Sequence, residues 1–309
     1  MALPFILWGA AAALAATGVV KGVEAKNNFS EAEDIGKSAR RRYETAEEEM
    51  VEMREETNAV FQKLGRLKME LFNDQIKHLV EVIKKSKSAK SELRGFKESV
   101  SIDELQEMER LVLKSLELEK GLGVGAVSGA LAAWGAYGSV GMLATASTGT
   151  AIASLSGAAA TNATLAWLGG GALSAGGFGI AGGTLALGGI VLGPALAVGG
   201  FMMASKAEEA LTQSEKYRKE VSIAVAEMDK IKIVLTALQD NAHELGFALN
   251  EMANRFDVIK VYDDSDAQAF EKMVVVGKGL KNLLSVAIME ESGAATKNIK
   301  SQISGYLAV

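Results

Sequence analysis

Residues 210–259 read ALTQSEKYRKEVSIAVAEMDKIKIVLTALQDNAHELGFALNEMANRFDVI. Along them Ala210, Ser214, Tyr217, Val221, Ala224, Met228, Ile231, Leu235, Leu238, Ala242, Leu245, Leu249, Met252, Phe256 and Ile259 recur in unbroken steps of four and three. A strand would alternate every second residue, whereas this spacing lays one narrow apolar stripe along a helix of about 75 Å. So narrow a stripe is buried only against a partner. The comparable seam is Ala39, Tyr43, Ala46, Met50, Met53, Thr57, Val60, Leu64, Leu67 and Leu71, with Glu47–Glu49, Arg54, Glu55 and Glu56 at the outer positions. After Leu71 the phase slips by one residue, to Phe72, Ile76, Leu79 and Ile83, a discontinuity that changes the local supercoil. Pairing the two seams antiparallel is the simplest way to bury both. The expected fold is therefore all-α, an elongated antiparallel coiled-coil helical bundle.

Between the seams lies a second, different signal. From Gly121 to Ser205 the chain has 85 residues without one Asp, Glu, Lys or Arg, and this run holds 22 of the 33 glycines. A solvated domain of that length carries charge every few residues, so the run must be hidden from water in lipid, in a partner or beneath the rest of the chain. A bilayer crossing takes about 20 helical residues. Charged helical segments flank the run on both sides, so a hairpin returning to its own side is the simplest topology. Its limbs are 121–144 and 184–204, joined through a polar stretch, 145–162, rich in Ser and Thr. Small residues four apart let helix backbones approach closely, and Gly121, Gly125 and Gly129 have that spacing, as do Gly179/Gly183 and Gly189/Gly193/Ala197. Trp134 and Trp167 lie in the same run, where their rings fit either headgroup depth or a packed core. A buried core hairpin that never meets lipid is the alternative.

The remaining segments divide the chain further. Residues 1–22 open with an uncharged apolar stretch, MALPFILWGAAAALAATGVV, just long enough to span a bilayer as an anchor or inserting helix. A cleaved secretory signal, although no Lys or Arg precedes the apolar part, and a buried terminal helix are the alternatives. Residues 30–120 carry the first seam and a basic stretch in which Lys84, Lys85, Lys87 and Lys90 are placed for anionic headgroups, or simply form a solvated helix end. Ser101 and Glu104 have capping-box spacing and predict a helix start. Residues 206–262 form the long second seam. Residues 263–309 predict a helix after Asp263–Asp266 with Phe270, Met273, Val276, Leu280, Leu284 and Ile288 on one face, then a short amphipathic helix through Ile299, Ile303 and Tyr306.

Chemistry-bearing residues are sparse. Cysteine is absent, and His78 and His243 are the only histidines, each beside a helix seam, so no metal site is expected. Gly177–Gly182 matches GxGxxG, yet no strand precedes it in this glycine-saturated run, so it implies no cofactor. A net charge of −5 spread over both flanks offers no basic face for nucleic acid. No catalytic constellation is apparent, and an enzyme is not expected.

Two seams enclosing an uncharged hairpin resemble the α-helical pore-forming toxins of the cytolysin A and haemolysin BL type. The resemblance lies in the layout of residues 30–290 and implies a hairpin sheltered in the soluble form that inserts on meeting a membrane. The strings MALPFILWGAAAAL and ATNATLAWLGGG are similar to a group of bacterial proteins with a glycine-rich hydrophobic hairpin, which implies a bacterial source but no activity. The leading expectation is a membrane-associated, non-enzymatic protein that inserts its hairpin into a lipid bilayer and assembles as a homo-oligomer, with pore formation as one outcome. A permanently anchored coiled-coil scaffold of a bacterial inner membrane, with a protein partner on its coiled coil, is the second. A soluble helical bundle with a buried glycine-rich hairpin is the third.

Overall fold

The structure, a computed structural model, describes residues 19–86, 100–121, 128–138, 207–290 and 294–307. Among them seven α-helices are assigned: α1 (Val19–Leu71), α2 (Lys77–Lys85), α3 (Ile102–Gly121), α4 (Ser128–Tyr137), α5 (Ala207–Ile259), α6 (Ala267–Leu284) and α7 (Ile299–Leu307). A π-helical turn, Phe72–Ile76, joins α1 to α2, and one antiparallel bridge pairs Met289 with Ala295. The chain is all-α. It divides into two compact units, Met1–Val51 with Ile190–Ile231 and Glu52–Gly189 with Lys232–Val309, so α1 and α5 each contribute to both.

The π-helical turn sits where the seam changes phase. A π turn accommodates one extra residue within a helix. Leu71 and Phe72 are consequently both buried, and Ile76, Leu79 and Ile83 carry the buried face onward through α2. The slip visible in the sequence is thus this turn.

In the first unit the buried face alternates small side chains, Ala32, Ala39, Ala46, Ala210 and Ser214, with the larger Met50, Tyr217, Val221, Val225 and Met228. Arg42 of α1 donates to Ser222 Oγ of α5 at 3.4 Å. The outer faces carry ion pairs within one helix, Lys37–Glu33, Arg40–Glu44, Arg218–Glu215 and Lys230–Glu227, each contributing about 0.3 kcal/mol.

In the second unit the pairing of the seams differs from the expectation. Gln239 donates to Thr57 at 2.8 Å, Gln75 donates to Asp257 at 3.1 Å, and His78 Nε2 lies 2.7 Å from the Val261 carbonyl oxygen. These partners are 182, 182 and 183 residues apart, so the two segments advance together and run parallel rather than antiparallel. The physical reason is an additional reversal between α2 and α3. Asn73 donates to Glu119 near the end of α3 while Lys84 of α2 is engaged with Glu109 nearer its start, and Phe61 and Gly65 of α1 meet Gly135 and Leu131 of α4 in reverse order, so α3 and α4 run back along the first helical segment. A seam dictates which face is buried; its polarity is set by the path of the chain between the seams.

α3 begins at the capping box that its sequence predicts: Glu104 N–H donates to Ser101 Oγ at 3.1 Å, and Ser101 N–H donates to Glu104 Oε2 at 2.9 Å. That backbone donor, with Lys278 as a second contributor, holds the Glu104 carboxyl below the usual carboxylate range. Ser101→Ala is expected to lower stability by about 1 kcal/mol, read as a shift of the urea midpoint.

α6 starts on Asp266, whose carboxylate accepts from the Gln268 and Ala269 N–H groups at 3.1 and 3.0 Å. It packs back on α5 and is tied to α3 by Lys278–Glu104 and Lys281–Glu107. Its glycines reflect space: a Cβ at position 277 would lie 2.6 Å from Leu79 Cδ2 and 3.1 Å from Phe256 Cε2. The expected helix face overran by one turn, because α6 ends at Leu284 and Ile288 belongs to the segment that follows. α7 buries Ile299 and Ile303 and returns to α5, where Arg255 donates to the Leu307 carbonyl at 2.7 Å.

Candidate functional site

The charge-free run begins at the end of α3, and its next described part is 128–138. That segment, SGALAAWGAYG, has no charged residue and no polar face. A helix that is apolar all round is stable only when surrounded, and α4 is: Leu131, Ala132 and Trp134 through Gly138 are all buried. Gly138 ends it in the left-handed region, φ 63°, with its N–H donating to the Trp134 carbonyl at 3.0 Å. This is a glycine helix stop.

α4 meets α1 backbone to backbone. A Cβ placed on Gly65 of α1 would lie 2.0 Å from the Leu131 carbonyl oxygen, and one on Gly135 would lie 2.1 Å from the Phe61 carbonyl oxygen. Reciprocal glycines therefore permit an approach that no other residue pair could make. One turn further, the Trp134 ring stacks on Phe72 of the π-helical turn, with centroids 5.5 Å apart and planes at 29°.

The same contact encloses a charge. Lys68 is fully buried, and its ammonium donates to the carbonyls of Val286, Gly135 and Trp134 at 3.0, 3.3 and 3.5 Å. Two of these acceptors belong to the last turn of α4, where the helix dipole favours a cation. None of its three acceptors is a carboxylate, and burial pulls the ammonium down to about 7. Trp134 Nε1–H is also buried and has no acceptor among the described residues. Among the described residues the docked helix thus meets a buried cation held by neutral dipoles and carries an indole donor without an acceptor, and a buried donor left in that condition costs about 1–3 kcal/mol.

The structure brings only part of the expected site together. Gly121 closes α3, Gly129 lies in α4, and Trp134 is packed inside the second unit. Gly125, Trp167, Gly179, Gly183, Gly189, Gly193 and Ala197 lie outside the described residues, as do the basic Lys87 and Lys90. Lys84 is engaged with Glu109 of α3, while Lys85 is exposed. His78 stands edge-on to Phe256 and Tyr262, and among the described residues no three His, Asp or Glu side chains gather as metal ligands.

Three residues central to this arrangement, Gly65, Lys68 and Gly135, were not singled out by sequence reasoning. A signal existed for two of them. Lys68 stands four residues after Leu64 and four before Phe72, on an apolar row, and Gly65 interrupts a strong helical seam. Among the described residues no helix is long and apolar enough to cross a membrane. No protein-family model, curated protein or solved structure matches the chain.

Proposed function

We propose that this is a non-enzymatic membrane-inserting protein that keeps the start of its charge-free run docked in a helical unit until it meets a bilayer. The observation carrying this reading is the condition of α4. It is a charge-free helix near the start of an 85-residue uncharged run, it is held against a buried ammonium, and its own indole N–H has no acceptor among the described residues. A segment stored for another environment is expected to combine complete shelter with imperfect compensation. In lipid the same helix would leave the Lys68 charge free to hydrate and the Trp134 ring free to reach the polar interface. Small-residue stripes in the rest of the run favour close helix association after insertion, and hence homo-oligomers. A pore is one product of such assembly.

The test is flotation of full-length protein with vesicles of phosphatidylglycerol and phosphatidylethanolamine, followed by a carbonate wash and protease digestion. The expected result is wash-resistant flotation, with peptides from 121–205 surviving digestion. Recovery of all protein in the soluble fraction contradicts the reading.

A second reading has its own support. The backbone interlock of Gly65 with Leu131 and of Gly135 with Phe61 is what a permanent core element would have. On that reading 128–138 stays buried whether lipid is present or not, and the vesicle experiment returns only soluble protein.

A further inference from the structure

The C-terminal end of α4 is covered by chain from the far end of the sequence. Ile288 N–H and Met289 N–H both donate to the Ala136 carbonyl, at 2.9 and 3.2 Å, and the Val286 carbonyl accepts from Lys68. The backbones pass in direct contact here, since a Cβ on Gly138 would lie 2.5 Å from the Ser285 carbonyl oxygen. The covering segment is braced internally: Thr296 N–H donates to the Ile288 carbonyl at 2.9 Å, Thr296 Oγ1–H to that of Ala287 at 2.9 Å, and Glu290 N–H to that of Ala294 at 2.9 Å. It is braced externally by Asn241 of α5, whose amide donates to the carbonyls of Thr296 and Ile288 at 3.0 and 3.3 Å.

A helix ends with carbonyls that have no partner inside the helix. In α4 the Ala136 carbonyl is satisfied by Ile288 and Met289, and Lys68 bonds those of Trp134 and Gly135. The run continues directly beyond Gly138, so α4 leaves its berth only if these bonds break. We infer that residues 285–290 and 294–296 form an autoinhibitory clasp, anchored to α5 through Asn241, that retains the start of the charge-free run. The biological purpose of the clasp rests on the membrane-insertion reading; its mechanical effect on α4 does not.

Two full-length variants test it. Asn241→Ala combined with Thr296→Val severs the side-chain bonds of the clasp without touching α4, α1 or the Lys68 contacts. Amide exchange of 131–138 in lipid-free protein is expected to rise by about tenfold or more in this variant. Partition onto phosphatidylglycerol–phosphatidylethanolamine vesicles is expected to rise with it. The chain has no native cysteine, so Ala136→Cys with Ile288→Cys places one unique pair where the backbones are a single hydrogen bond apart. Oxidising that pair is expected to suppress both exchange and vesicle binding, and a reductant to restore them. Unchanged exchange at 131–138 in the loosened variant, with its helix content intact, overturns the clasp. Faster exchange with no gain in vesicle binding upholds the clasp and counts instead against the insertion reading.

Discussion

Gly65→Ala is expected to weaken the second unit by about 3 kcal/mol or more. The new methyl would sit 2.0 Å from the Leu131 carbonyl oxygen and 2.7 Å from its carbon. Ordinary contact lies well beyond 3 Å, and both obstructing atoms are backbone, so relief requires α1 and α4 to separate by more than an ångström. That separation would loosen the Trp134–Phe72 stack and lengthen the bonds from Lys68 to the end of α4. Close-packed interiors do not absorb such a displacement locally. Gly246→Ala supplies the control. Position 246 lies inside α5, where a Cβ would meet only Leu64 Cδ1 at 3.9 Å, so alanine is expected to raise stability by about 0.5–1 kcal/mol through helix propensity. Urea midpoints of the two variants, measured side by side, separate steric contact from propensity.

The second large effect concerns Lys68 and appears as pH dependence. Burial lowers its ammonium from 10.5 to about 7. Between those values the folded protein holds fewer protons than the unfolded chain, so this residue makes stability rise with pH across that window. Its penalty is absent above the unfolded value and complete below the folded one, where it reaches on the order of 5 kcal/mol. The three carbonyl acceptors favour the charged form and offset part of this. Lys68→Met keeps the length of the side chain and removes the proton. Relative to the methionine variant, wild type is expected to gain stability by several tenths to a few kcal/mol between about pH 7 and pH 10. Denaturation at both pH values checks this, and a wild-type–variant difference independent of pH contradicts a buried, titrating ammonium.

The sequence carried the seam helices and α3 well because each has its own periodic or capping signal. The seam of 210–259 lies in α5, the slip after Leu71 is the π-helical turn, and Ser101 with Glu104 caps α3 as their spacing predicts. Polarity was a different matter. Ala39–Leu71 and Ala210–Ile259 are the same stripes whichever way they lie, and nothing local reports that α3 and α4 run back along α1 before α5 begins. The site was legible only in outline. Glycine repeats within the run drew attention to Gly121, Gly125 and Gly129, whereas the contact that positions α4 is made by Gly135 against Gly65, remote in sequence and outside any repeat. Lys68 was readable as a cation on an apolar row, yet its acceptors are backbone carbonyls, which have no sequence signature. The clasp was hidden for the same reason, since Ile288 and Met289 hold Ala136 through main-chain atoms.

The central claim is that α4 is stored in the helical unit and given up to lipid. Its most direct measurement uses Trp134 as the only fluorophore of its kind, in full-length protein carrying Trp8→Phe and Trp167→Phe. Trp134 is 1% exposed, so its emission in lipid-free protein is expected to be blue-shifted and insensitive to aqueous iodide. On addition of vesicles containing brominated acyl chains the account predicts quenching of that emission, together with faster exchange of the amides of α1 that α4 had covered. Emission that stays unquenched, with 131–138 and the facing stretch of α1 as protected as before, would mean that α4 is a permanent part of the core and that the run does not insert through it.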